Sequence, residues 1–141
     1  MNNKNAEIFK HWLVDREEDV FNFVDSDKDS ELTIARYQDR LENGASFDID
    51  ILFKDNNVSV YLTDLVRFAE NSLTLDLFKK INELNIKYTI PKFSINYGQV
   101  FLQISNDYSE VCDPQEIFTY VIGLMRIAEA VYPELMKTIW S

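Results

Sequence analysis

Ser46-Phe47-Asp48-Ile49-Asp50-Ile51-Leu52-Phe53-Lys54 is followed by Asp55-Asn56-Asn57 and then by Val58-Ser59-Val60-Tyr61-Leu62. Phe47, Ile49, Ile51 and Phe53 alternate with Asp48, Asp50 and Lys54. In a strand, successive side chains point to opposite faces, so this period of two describes a strand with one buried and one wet face. Asp55-Asn56-Asn57 is a turn signal, and Val58, Val60 and Leu62 resume the alternation on a returning strand. Strands joined by so short a turn must be antiparallel.

Working outward toward the N-terminus, Asn43-Gly44 is a hairpin signal, and Glu31 to Gln38 is rich in β formers. Asp25 to Ser30 is a polar turn after a short β-type run, Val20 to Val24. Before it, Ile8, Phe9, Trp12 and Leu13 give Ala6 to Asp15 the apolar face of a helix. Toward the C-terminus, Asp64 is placed to cap a helical region in which Leu65, Phe68 and Ala69 recur at helical spacing, with a break near Asn71-Ser72. Leu77, Phe78, Ile81 and Leu84 then mark a helix over Thr74 to Asn85. Ile86 to Tyr97 reads as a strand in which Pro91 flips the apolar phase, which predicts a bulge or an edge position. Tyr97-Gly98 turns the chain into a partner strand carrying Val100, Leu102 and Ile104.

The last element has the plainest start. Asp113 is an N-cap, Pro114 fills the first helical position, and Glu116 stands where a capping box places an acid. The helix is expected from Pro114 to about Tyr132, with Pro133 opening a final turn toward Trp140. The predicted order is α-ββββ-α-ββ-α, one α+β domain over residues 1–141, built as a two-layer sandwich of helices on an antiparallel sheet.

Composition narrows function by exclusion. The net charge of −10, with no Lys/Arg cluster, lacks the footprint that neutralises nucleic-acid phosphates or an anionic membrane surface. No apolar run approaches the ~20 residues of a membrane span, and the polar start Met1-Asn2-Asn3-Lys4-Asn5 is unlike a signal peptide. A single cysteine, Cys112, excludes an intrachain disulfide. A cytoplasmic location is expected.

The candidate chemistry is thin. Asp25-x-Asp27-x-Asp29 opens like a calcium loop, but Ser30 occupies the glycine position and Arg36 stands where a bidentate glutamate belongs, so a solvated turn is expected. His11 is the lone histidine, too few for most zinc sites. Cys112 precedes a helix, which lowers a thiol pKa, but Glu110 and Asp113 oppose that. Asp48 and Asp50 share a strand face but belong to its polar phase. No catalytic residue, cofactor or metal site is assigned, and a non-enzyme is expected. An alternative is a small-ligand sensor or enzyme, with Tyr88, Tyr97, Tyr108 and Tyr120 lining a pocket between helix and sheet.

The apolar arc of the final helix is wider than a sheet-covering helix needs, about 220° against ~100° or somewhat more. Ile117, Val121, Leu124, Ala128, Val131 and Leu135 form its centre, and Tyr120 and Ile127 extend one side. Phe118, Ile122, Met125, Met136 and Trp140 extend the other and are the candidate interface. Either the first helix covers this flank with Phe9 and Trp12, or it is the seam of a homodimer or the seat of another protein.

Ile81-Asn82-Glu83-Leu84-Asn85, Lys92-Phe93, Asn96-Tyr97-Gly98-Gln99-Val100, Asp113-Pro114-Gln115-Glu116 and Ala130-Val131-Tyr132-Pro133-Glu134-Leu135 together resemble the YbjN-like family. The resemblance runs from about Ser46 to Trp140. These bacterial proteins are labelled sensory-transduction regulators, and their fold is similar to type III secretion chaperones. The resemblance implies a chaperone-like α+β fold and a small acidic protein-binding or regulatory module, homodimeric like the chaperones. It carries no catalytic or binding residue across to this chain.

Overall fold

The computed structural model describes residues 1–69 and 73–140. Among them the order is α1 (Lys4–Asp15), β1 (Asn22–Asp25), β2 (Leu32–Arg40), β3 (Ser46–Lys54), β4 (Asn57–Arg67), α2 (Leu75–Lys87), β5 (Lys92–Asn96), β6 (Gln99–Asp107) and α3 (Pro114–Trp140). The strands form one antiparallel sheet in the order β1-β2-β3-β4-β6-β5. This is the predicted α-ββββ-α-ββ-α sandwich.

The alternation in β3 and β4 lays out the core. Phe47, Ile49, Ile51 and Phe53 are buried, and across the ladder they face Val58, Val60 and Leu62. Registers carry the same face onward to Leu102 and Ile104 on β6 and to Ala35 on β2. α3 closes this face with Ile117, Val121, Leu124, Ala128, Val131 and Leu135, the six residues at the centre of its arc. α1 adds Ala6, Phe9 and Leu13, and α2 adds Leu77, Ile81 and Leu84.

Local signals set most boundaries. Asn3 caps α1, Thr74 caps α2, and Asp113 Oδ1 accepts from the Gln115 and Glu116 N–H groups at the start of α3. Tyr97 and Gly98 both take positive φ, 50° and 71°, the geometry of the hairpin turn that follows strand twist.

Four expectations change. The Leu65-to-Ala69 segment is no helix: β4 runs on to Arg67, with Val66 opposite Val100 and Arg67 opposite Gln99. Between Leu62 and Val66 the register shifts, and Asp64 takes a positive φ of 67°. This bulge reverses the alternation, so Leu65 and Val66 are both buried, which mimics helical spacing. Asp64 caps nothing; its carboxylate pairs with Arg67, and its N–H donates to Gln99. The break expected near Asn71-Ser72 lies outside the described residues.

The second change is at Ile86, which belongs to α2, so the following strand starts only at Lys92, after Pro91. The third concerns Glu116, which does not reach back to close a capping box. Its Oε1 accepts from Asn106 Nδ2 at 2.8 Å and from the Tyr108 hydroxyl at 2.6 Å, fastening α3 to the end of β6. The fourth is at Pro133, which does not end the last helix: α3 continues to Trp140. A proline there forfeits one helical hydrogen bond and costs about 3 kcal/mol or more. Burial of Val131 and Leu135 on either side holds the helix together.

β5 is an edge strand, and its edge is occupied at Phe93. Asn85 Nδ2 donates to the Phe93 carbonyl at 3.0 Å, and Asn85 Oδ1 accepts from the Phe93 N–H at 2.7 Å. The carboxamide thus imitates a neighbouring strand, one way of protecting an edge from foreign pairing. Asn85→Ala is expected to cost about 1–2 kcal/mol, the loss of two hydrogen bonds at a part-buried site. It should also remove hydrogen-exchange protection at the Phe93 amide. Unchanged protection there would show that the carboxamide is not the lock.

Candidate interaction surface

The polar residues singled out by sequence turn out to be structural. Asp25 Oδ1 accepts from the Asn2 N–H and the Thr33 hydroxyl, both at 2.8 Å. These bonds, the Asn2 one first, hold the Asp25 carboxyl below the usual carboxylate range. Asp29 accepts from the Glu31 N–H and pairs with Lys54 at 3.0 Å. The Asp25 carboxylate therefore holds the N-terminal residues, while that of Asp29 ties the turn to the end of β3. Among the described residues no group of three His, Cys, Asp or Glu is placed to hold a metal.

His11 is exposed, 4.0 Å from Glu7 on the same helix. Cys112 is buried, where its N–H donates to Asn5 Oδ1 at 2.9 Å. Burial, with Asp113 adding to it, pushes the thiol up to about 11, so little thiolate exists at neutral pH. Asp48 and Asp50 are half-buried rather than fully solvated. They line a depression of about 620 Å³ on the sheet face away from the helices, together with Arg36, Gln38 and Asn22. Arg36 lies 3.4 Å from Asp50 and opposes the upward push of burial on that carboxyl. The tyrosines do not line one pocket: Tyr108 and Tyr120 meet at Glu116, but Tyr88 packs on Phe93 and Tyr97 is 89% exposed at a hairpin tip.

The flank of α3 divides in two. Met136 is half-buried against the core, and Trp140 is 78% exposed at the end of the helix. About 16 Å before Met136, at 1.5 Å per residue, Met125 belongs to a separate group with Phe118 and Ile122. Phe118 meets Trp12 with ring centroids 5.5 Å apart, so the first helix covers that part of the flank.

Ile122 and Met125 are not covered in this way. They form the shared wall of two neighbouring grooves. One, about 130 Å³, is lined by Glu18, Val20, Phe21, Tyr37, Phe118, Val121, Ile122 and Met125. The other, about 230 Å³, is bounded by Leu41 and Phe47, with Arg40, Arg126 and Glu129 at its rim. Both fall below the ~300–1,000 Å³ of small-molecule sites. The charged groups at the two rims differ, acid alone at the first and two arginines with one glutamate at the second. Glu18 and the Tyr37–Asp39 pair mark the first groove; burial and the Asp39 carboxylate push the Tyr37 hydroxyl up to about 12. Arg40, Arg126 and Glu129 mark the second, leaving one net positive charge. Sequence singled out Phe118, Ile122 and Met125 but not Phe21, Tyr37 or Leu41, which only the fold brings opposite them.

The fold and these surfaces define a helix-covered antiparallel α+β sandwich with an open groove along its long helix. It is similar to the crystal structure of YbjN from E. coli, described as a candidate transcription regulator. The two match with a TM-score of 0.60 over 92% of each chain at 11% sequence identity. At that identity the likeness establishes a YbjN-like fold. No family model and no curated protein matches the sequence. Among the described residues no helix is long and apolar enough to cross a membrane.

Proposed function

We propose that this chain is a non-catalytic protein-binding module that takes a segment of another protein in the paired grooves beside α3. The observation that carries this reading is the shared Ile122–Met125 wall, with apolar floors on both sides, an acidic rim on one groove and a mixed, net positive rim on the other. Such a shape accepts two apolar anchors from one segment. A basic residue beside the first anchor would meet Glu18 and Asp39, and an acidic one beside the second would meet Arg40 and Arg126. The net charge of −10 would steer the basic part of the segment inward.

The YbjN structure is described as that of a candidate transcription regulator. For an acidic chain of this fold we place a regulatory role in protein contacts rather than in DNA. The lone buried thiol suits a cytoplasmic setting. Its raised pKa and the isolation of His11 support binding over catalysis.

Short peptides with two apolar anchors, flanked by Lys at one end or by Glu at both, test the reading. The Lys-flanked set is expected to bind, more weakly as salt is raised. Ile122→Glu should lose tenfold or more, which is about 1.4 kcal/mol or above. Equal binding of the Glu-flanked peptides, or wild-type affinity in Ile122→Glu, would overturn it.

A further inference from the structure

α2 is apolar on two opposite sides. Its inner side buries Leu77, Ile81 and Leu84. At 100° per residue, Leu75, Phe78, Asn82 and Ile86 fall within about 80° of one another on the outer side. Leu75, Phe78 and Ile86 are 67%, 50% and 71% exposed, and Ile90 just past the helix is 71% exposed. Isolated exposed apolar residues are ordinary, but a stripe on one helix face marks a contact.

The stripe is complementary to itself. Phe78 stands four residues before Asn82 and Ile86 four after it, while Leu75 stands seven before and Ile90 eight after. Two such helices laid antiparallel about a two-fold axis at Asn82 bring each Phe78 against the second copy's Ile86. They bring each Leu75 toward the second copy's Ile90. The charges on the flank agree with this register. Under a two-fold axis the same flank of each helix comes together, so Lys79 comes beside the second copy's Glu83. Asp76 and the second copy's Lys87 meet further out. At Phe93 the adjacent sheet edge is already occupied by Asn85.

We propose that the outer face of α2 is a self-association surface, on which two copies of this chain pair antiparallel about Asn82. The seam thus lies on α2 rather than on the α3 flank. The proposal does not depend on peptide binding, and it leaves the α3 grooves open in both copies. α2 has 13 residues and is about 20 Å long, so one helix pair gives an interface at or below the low end of stable dimers, ~1,200 Å². The association is therefore concentration-dependent, in the micromolar range.

Asn82→Cys tests the axis directly, because a residue on a two-fold axis meets its own copy. Under mild oxidant this variant is expected to run on a non-reducing gel at twice the 16.6 kDa chain mass. Thr119→Cys, exposed on α3, should remain single, and the buried Cys112 contributes no background. In parallel, Phe78→Glu and Ile86→Glu should lower the light-scattering mass from dimer to monomer with an unchanged circular dichroism spectrum, and Ile122→Glu should stay dimeric. Peptide binding in the grooves should survive Phe78→Glu, so this proposal and the groove reading fail separately. A wild-type chain that stays monomeric up to millimolar concentration would overturn the α2 seam. So would cross-linking of Asn82→Cys no faster than that of Thr119→Cys, or dimers that persist in both α2 variants.

Discussion

Phe9→Ala is expected to lower the unfolding free energy by about 4 kcal/mol, in the range for deleting a fully buried phenylalanine. Phe9 has no exposed surface, and its ring lies 5.8 Å from Phe21, 5.8 Å from Phe53, 6.2 Å from Trp12 and 6.5 Å from Phe23. It is where α1, β1 and β3 meet, and no single neighbour can collapse into the space it would leave. Set against the ~5–15 kcal/mol of a whole domain, the loss is severe. Urea unfolding checks it: the midpoint should fall with an unchanged slope, because the surface exposed on unfolding is nearly the same. A loss under 1 kcal/mol would mean that the ring cluster repacks. The groove should suffer as well, since Phe21 packs on both Phe9 and Tyr37 and forms part of its wall.

The second large effect is expected at Asn3. Its Oδ1 accepts from the Asn5 and Ala6 N–H groups, and its Nδ2 donates to the Glu31 and Asp55 carbonyls at 2.9 and 3.0 Å. One buried side chain thus caps α1 and ties it to the loops before β2 and after β3. Asn3→Ala should cost about 3 kcal/mol: roughly 1 for the cap and about 1 for each carbonyl left without its donor. Asn3→Asp separates the two roles. It keeps the cap and suits the positive end of the helix dipole, but it sets a carboxylate against two carbonyls. It should therefore stay nearly as damaging as alanine by thermal or urea unfolding. Full stability in Asn3→Asp would show that capping alone matters.

Where the fold was legible, short-range physics decided it. The alternation of Phe47 to Phe53 forces one face inward whatever lies beyond it, and the pattern in β3 matches residue for residue. Tyr97-Gly98 can turn the chain because Gly98 takes positive φ without a Cβ to clash, while Tyr97 takes it against its ordinary preference. Asp113-Pro114 starts α3 because an acceptor side chain and a missing N–H both suit a helix start. Where the fold departs from local pattern, the cause is the opposite. Leu65, Phe68 and Ala69 are spaced as on a helix, yet Val66 and Arg67 have partners on β6, and the bulge at Asp64 lets the strand reach them. Local propensity is weaker than a ladder that a distant strand completes.

The surface was legible only in part. Periodicity found Phe118, Ile122 and Met125 as excess apolar area on the final helix. It could not show that Trp12 covers the first while the other two wall a pair of grooves, because Trp12, Phe21 and Tyr37 arrive from α1, the following loop and β2. The outer stripe of α2 is hidden from periodicity for a related reason. Phe78 shares the helical spacing of Leu77, Ile81 and Leu84, and Ile86 fits the alternation of a strand. Only the packed structure shows which side of that helix meets the sheet.

The amino-acid sequence by itself determined the class of this protein: an acidic α+β sandwich with its strand order in sequence, its hairpins and the buried spine of its last helix. These follow from interactions within a few residues along the chain, which period, caps and turn chemistry report directly. Tertiary structure alone decided where β4 ends, that α3 runs through Pro133, how Asn85 occupies the β5 edge at Phe93 and which apolar faces remain open. Each of these depends on burial and pairing between residues far apart in sequence, whose free energy outweighs any local preference once the sheet and helices are in place.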